Sequence, residues 1–258
     1  MDFTLTALLL ALGLFAGMVA LLELGRYLGR RKLERDAEQA RAGLGAIEGA
    51  VFGLFGLLVA FTFAGAAGRF DERRALITAE ANAVGTTWQR VDTLPADAQP
   101  LVRDLFRSYM DARLAAYRAM PDLGAAMEHL EESGRIEARL WSAVVDACRT
   151  DAGRPALMLV LPAFNETFDI ATDRFAATKN HPPTVIFVML AVLALVAALL
   201  AGHAMAGAKS QSWIHTIGFA AIVALTFYVI LDLEYPRLGL IRLDAADQIL
   251  IDTRNDMR

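Results

Sequence analysis

Gly49-Ala50-Val51-Phe52-Gly53-Leu54-Phe55-Gly56-Leu57-Leu58-Val59-Ala60-Phe61-Thr62-Phe63-Ala64-Gly65-Ala66-Ala67-Gly68 is a run without a single charge. A helix of about 20 apolar residues crosses a hydrocarbon core roughly 30 Å thick, so this run is long enough to span it. Three further uncharged runs, Phe3–Leu22, Thr184–Ala208 and Trp213–Leu231, match it, and the four are 19 to 25 residues long. They account for a 258-residue chain that is 56% hydrophobic, above the roughly 45–50% usual for a soluble globular chain. A soluble cytoplasmic enzyme is excluded. The expected fold is an all-α integral membrane protein with four transmembrane helices and a helical extramembrane domain between the second and third.

The chain reads as residues 1–68 (two spans and a basic connector), 69–183 (the polar domain), 184–231 (a transmembrane hairpin) and 232–258 (an amphipathic tail). The leader before the first run has Asp2 and no Lys or Arg, so that run reads as a retained anchor and not as a cleaved signal. Region Arg69–Pro183 carries 14 basic and 17 acidic residues and few strand signals. Thr93-Leu94-Pro95, Met120-Pro121-Asp122 and Asp151-Ala152-Gly153-Arg154-Pro155 divide it into four helices. No breaker separates the second run from Arg69–Asp92, which predicts one long helix leaving the bilayer. Along that extension Phe70, Ile77, Val84, Trp88 and Val91 share a face. Leu101, Leu105, Tyr109 and Ala112 do so in the second helix, and Leu130, Ile136, Leu140 and Val144 in the third. Pro162 is expected to bend or divide the fourth. In the tail, Leu243, Ala246, Ile249 and Leu250 predict a short amphipathic helix on the membrane or on the polar domain. The last two spans, joined by only Gly207–Ser212, form an antiparallel hairpin.

Four spans place both termini and the polar domain on one side. Arg26, Arg30, Arg31, Lys32, Arg35 and Arg41, interleaved with Glu34, Asp36 and Glu38, follow the first span, and Lys209 joins them on that side. Arg69, Arg73, Arg74, Arg174, Lys179, Arg237 and Arg242 balance these seven on the other. Weighting the first helix makes the basic connector cytoplasmic and the polar domain extracytoplasmic.

Small residues at Gly49, Gly53, Gly56, Ala60, Ala64 and Gly68 draw a stripe along the second span. Such stripes let helix backbones approach closely in a bilayer. The partner is either another helix of the same chain or another subunit. Beside the stripe, Phe55, Val59 and Phe63 recur every four residues. They face lipid, or, in a symmetric oligomer, stack as apolar rings that gate ion flow by dewetting. Beyond the run, Arg69, Arg73 and Glu80 form either a solvated or ion-paired helix face or a pore mouth that concentrates anions.

The stretch Val51–Phe63, followed by Arg69-Phe70-Asp71-Glu72-Arg73-Arg74, Glu80-Ala81-Asn82-Ala83-Val84-Gly85-Thr86, Leu94-Pro95 and Leu101, Leu105, Tyr109 and Arg113 at four-residue spacing, resembles the bacterial bestrophin-like membrane protein family. The resemblance implies a multi-pass protein of the bacterial inner membrane. It also implies a homo-oligomer, a pentamer in true bestrophins, that passes small anions along an axis lined by the second helix. The neck would fall on Phe55, Val59 and Phe63. In true bestrophins the domain between the second and third spans is cytoplasmic, opposite to the side that the first-helix charges favour here.

No catalytic constellation is present. His129, His181, His203 and His215 are scattered, with His203 and His215 near a membrane edge, and no phosphate loop, nucleophile elbow or zinc-protease helix occurs. Glu48, Asp232 and Glu234 punctuate span ends. Cys148 is the single cysteine, and basic and acidic residues nearly balance, 25 against 29, so no nucleic-acid footprint is visible. No metal or cofactor is implied, and membrane lipid is the certain neighbour. Two functions remain open: an anion-passing oligomeric pore, and a non-conducting, membrane-anchored sensor or interaction protein whose helical domain binds a partner.

Overall fold

A computed structural model describes residues 3–35, 44–207 and 213–258. Asp36, Glu38, Arg41, Lys209 and most of the loop Gly207–Ser212 lie outside them. Among the described residues every regular element is a helix: α1 (Phe3–Arg35), α2 (Leu44–Arg90), α3 (Gln99–Ala119), α4 (Leu123–Arg149), α5 (Leu157–Lys179), α6 (Thr184–Ala204), α7 (Trp213–Glu234) and α8 (Asp244–Asp256). Four segments are long and apolar enough to cross a membrane, and they contain α1, α2, α6 and α7. The chain divides into two compact units, Met1–Gly68 with His181–Leu240, and Arg69–Asn180 with Ile241–Arg258. The tail is thus split at Leu240.

In the first unit α1 packs on α6 and α7. Its core is Leu14, Met18 and Leu22 of α1, Ala194, Ala197 and Ala198 of α6, Ala220 of α7 and Phe55 of α2. Lipid supplies no hydrophobic drive between helices, so they associate by close packing. The closest approach is at three glycines. A Cβ on Gly25 would stand 2.0 Å from the Leu199 carbonyl oxygen, one on Gly29 2.8 Å from that of His203, and one on Gly202 2.0 Å from that of Leu22. Gly25-Arg26-Tyr27-Leu28-Gly29 is a second Gly-x-x-x-Gly, and it, not the α2 stripe, makes the tight contact within the chain.

The second unit is a helical bundle. Helix α2 runs on through Arg90 without a break, as the sequence predicts, to 47 residues, roughly 70 Å at 1.5 Å per residue. It ends in a 3₁₀ turn, Val91–Thr93, and Leu94 is extended because the following Pro95 crowds a helical conformation. Met120 is extended before Pro121 for the same reason. Asp122 then caps α4, its carboxylate accepting from the Ala125 N–H at 3.1 Å. Pro162 lies inside α5 near its start and does not divide it. Val84 of α2, Val91 of the 3₁₀ turn, Phe106, Tyr109 and Met110 of α3, Leu140 and Val144 of α4, Val160 and Phe164 of α5 and Leu250 of α8 form the core. Leu101, assigned by periodicity to that core, is 57% exposed, and Val102, one residue on, is buried instead. Helix α8 packs on this bundle through Leu250 and Met257, which settles which of two surfaces the amphipathic tail covers.

Cys148 is buried in the same core at 1% exposure, and burial pushes its thiol pKa up. Only the thiolate reacts with alkylating reagents. Modification of the native protein will therefore be at least about 100-fold slower than in denaturant, and Cys148 cannot report which side of a membrane it occupies. Met158→Cys, at a position 76% exposed, will react rapidly in the folded, detergent-solubilised protein. Comparable native rates at the two positions would show that the core opens around Cys148.

Candidate functional site

Helix α2 divides the residues that the sequence places on it. Phe55 is 8% exposed and faces its own unit, where Phe55 and Val59 line an apolar crevice of about 180 Å³ with Leu190 and Ala194 of α6 and Phe227 and Ile230 of α7. Val59 is half-buried, and Phe63 is 42% exposed. The row does not stand on one open surface because residues four apart advance about 400°, so Phe63 is rotated by about 80° from Phe55. The opposite side of the helix is open. An added Cβ would meet nothing within 4 Å at Gly49, Gly53, Gly56 or Gly68, and Ala60 and Ala64 are exposed. Interleaved with this stripe stand Leu54, Leu57 and Phe61, at 49%, 52% and 66% exposure. Of the apolar window of α2 only 11% is buried, against 28% for each of the other three spans.

The charged residues of the extension lie in the second unit. Arg69 is half-buried. Arg73 is 6% exposed and donates from Nε to the Ala177 carbonyl and from Nη2 to the Asn180 carbonyl, both at 3.1 Å. A cation at the C-terminal end of α5 also favours the helix dipole. Glu80 is wholly buried. Its Oε1 accepts from Arg113 Nη2 at 3.0 Å, its Oε2 is bonded to Arg174, and Arg174 Nη2 reaches Asp247 Oδ1 of α8 at 3.3 Å. The mouth read from Arg69, Arg73 and Glu80 is therefore not an open solvated face on the single chain: two of its three members are enclosed and occupied by intramolecular partners.

Tyr117 completes the cluster, accepting from Arg113 Nη2 while its ring lies 4.2 Å from the Arg174 guanidinium. Burial works to discharge Arg113, but Tyr117 and Glu80 outweigh it and hold the guanidinium pKa above its ordinary value, and the same balance acts on Arg174. Burial raises Tyr109 far above the usual phenol range, and its hydroxyl has no hydrogen-bond partner among the described residues. Two acids, two arginines and Tyr117 thus tie α2, α3, α5 and α8 together. The fixed charges cancel, which lets such a cluster survive in a core.

In the first unit Arg26 is 4% exposed, ion-paired to Glu23 at 2.6 Å and donating to Thr216 of α7 at 3.2 Å. His203 Nδ1 lies 3.9 Å from Glu48 Oε1. The acids at the end of α7 are enclosed: Asp232 Oδ1 accepts from the Leu240 N–H at 2.9 Å, and Glu234 lies 3.5 Å from His181. Among the described residues no group of three or more His, Cys, Asp or Glu could hold a metal ion.

Sequence reasoning missed Arg174, Asp247 and Arg26 because an arginine in a mixed-charge helix gives no sign of its burial. For Arg113 the signal was present, since it closes the spacing Leu101, Leu105, Tyr109, Arg113 on the buried face of α3.

The architecture defines a class: a helical membrane protein of four spans, with a helical bundle between the second and third and one helix shared by both units. The chain belongs to the bestrophin-like family, whose Bestrophin-like domain model matches residues 12–247. Its fold is that of a bacterial bestrophin homologue from Klebsiella pneumoniae. One crystal structure of that protein, a tryptophan-to-alanine mutant, has TM-score 0.66 at 14% identity over 95% of this chain and 98% of the other. A tyrosine-to-alanine mutant has TM-score 0.64 at 14% identity, over 93% and 97%. No curated protein matches the sequence.

Proposed function

We propose that this protein is one subunit of an oligomeric pore of the bacterial inner membrane that passes small anions, with the open face of α2 at the axis. The observation that carries the reading is that face itself: glycines with nothing within 4 Å, beside exposed Leu54, Leu57 and Phe61. Glycine costs a helix roughly 1 kcal/mol relative to alanine, and a lipid-facing surface gains nothing in return. A neighbouring copy of α2, approaching closely, does gain. Leu57 and Phe61, four residues apart on the open face, supply the apolar rings of the constriction, and Phe63, about 160° around the helix from Phe61, stands on its flank. Phe55 and Val59 set the angle of the helix from behind. Arg69, half-buried where Arg73 and Glu80 are enclosed, is the residue assigned to the mouth. Five copies is the number that the resemblance to bestrophins implies.

The test is chloride current through planar bilayers containing purified protein. Replacing Leu57 and Phe61 together by alanine will raise conductance or remove its closure severalfold, because a wider, less apolar constriction no longer dewets. Phe55→Ala will leave conduction near wild type. A wild-type protein that carries no current, or a double variant indistinguishable from it, overturns the pore and leaves the anchored, non-conducting sensor. For orientation, the charges after the first span put the second unit outside the cytoplasm. On that reading an impermeant thiol reagent labels the Met158→Cys variant in intact cells, whereas protection places the unit inside.

A further inference from the structure

The second unit carries a groove that neither the core nor the proposed pore uses. It is an open volume of about 570 Å³ between α2 and the start of α8, walled by Phe70, Arg74 and Thr78 on one side and by Arg242, Leu243 and Ile249 on the other. Three features converge on it. Two arginines, Arg74 and Arg242, line it. The first turn of α8 lines it through Ala245 and Ala246, and no side chain caps that helix start, whose N-cap position is Leu243. Phe70, Leu243 and Ile249 give it an apolar part beside the polar Asp71 and Thr78, and Ile249 is 44% exposed. An uncapped helix N-terminus favours an anion, and the planar guanidinium fork matches phosphate oxygens.

Two carboxylates compete. Asp71 lies 3.7 Å from Arg74 Nη1, with side chains 72% and 59% exposed, and Asp244 lies 2.9 Å from Arg242 Nε, at 63% and 49%. Pairs so exposed are weak, and each meets a single nitrogen of a five-donor guanidinium, so both forks have donors left to offer. Depth selects the ligand. Arg74 follows the end of the apolar run, Gly68, by six residues, about 9 Å of helix. The polar layer of a bilayer is about 5–8 Å thick on each side, and an arginine stem reaches back toward it.

We propose that this groove holds the phosphate of an anionic membrane phospholipid between Arg74 and Arg242, with the lipid's apolar portion against Phe70, Leu243 and Ile249. Full-length protein in a nonionic detergent is titrated with phosphatidylglycerol or phosphatidylcholine, and retained lipid is counted by native mass spectrometry. Phosphatidylglycerol will be retained about tenfold more tightly than phosphatidylcholine. The Arg74→Gln, Arg242→Gln double variant will lose roughly that factor. Asp244→Asn will strengthen retention, and Arg149→Gln, which removes an exposed charge elsewhere in the unit, will leave it unchanged. Equal retention of the two lipids, or wild-type retention by the double variant, overturns the site. Displacement of phosphatidylglycerol by millimolar inorganic phosphate also overturns it, reassigning the groove to a free anion.

Discussion

Glu80→Gln will destabilise the protein by about 3–5 kcal/mol, the cost of leaving buried charge unpaired. Glu80 is wholly buried and is the carboxylate shared by Arg113 and Arg174, which are themselves 5% and 6% exposed. Glutamine keeps the shape and loses the charge, so two guanidinium groups remain in the core opposite Asp247 alone. Both arginines are held above their ordinary pKa, so neither escapes by shedding its proton. Trp88 and Trp141 pack against the same core, so tryptophan fluorescence during denaturant or thermal unfolding reads the effect directly. Removing the exposed Arg135–Glu132 pair, whose side chains are 68% and 49% exposed, will shift stability by no more than about 0.5 kcal/mol. A Glu80→Gln protein that unfolds as late as that surface variant would mean that the cluster has admitted water and is not a closed ion-pair network.

Gly202→Ala and Gly53→Ala, the same chemical change in the same unit, will act in opposite directions on the single chain. At Gly202 the new Cβ would stand 2.0 Å from the Leu22 carbonyl oxygen and 2.9 Å from its Cα. Both belong to backbone that cannot swing aside, so α1 and α6 must separate. Separation loosens Met18, Leu22, Ala197 and Ala198, all wholly buried. Overpacking costs typically 1–3 kcal/mol, and rigid opposing backbone puts this site at the upper end of that range or beyond. At Gly53 nothing lies within 4 Å, and alanine gains about 1 kcal/mol of helix propensity. Gly202→Ala will lower the thermal aggregation midpoint of detergent-solubilised protein and reduce its yield. Gly53→Ala will keep or raise the midpoint while weakening assembly, read by cross-linking and light scattering. If Gly53→Ala assembles as wild type, the open stripe of α2 is not a subunit contact.

The legible and the illegible parts of this protein divide along one physical line. The four spans, the helical region between them, the breaks at Pro95 and Pro121 and the unbroken passage from span to bundle in α2 were readable. Each depends on local composition or on backbone chemistry that one stretch of chain carries by itself: apolar length sufficient for a bilayer, and prolines that disfavour a helical residue before them. Periodicity also found most of the core, missing Leu101 by one position because the face of α3 is set by what α4 and α5 offer to it.

Partnership was not readable. Two Gly-x-x-x-Gly patterns, Gly49 with Gly53 and Gly25 with Gly29, look equivalent as strings, and only the fold reveals that the second meets α6 while the first meets nothing among the described residues. Phe55 and Phe63 share a four-residue row, yet helical drift turns one toward α6 and α7 and leaves the other open. Arg73 and Glu80 read as ordinary surface charges until α3, α5 and α8 close around them. The chain by itself determined which segments are helical and which must leave water. Tertiary structure alone decided which side of each helix is enclosed, because burial depends on neighbours distant in the sequence and a helix carries no local mark of the surface that will meet it.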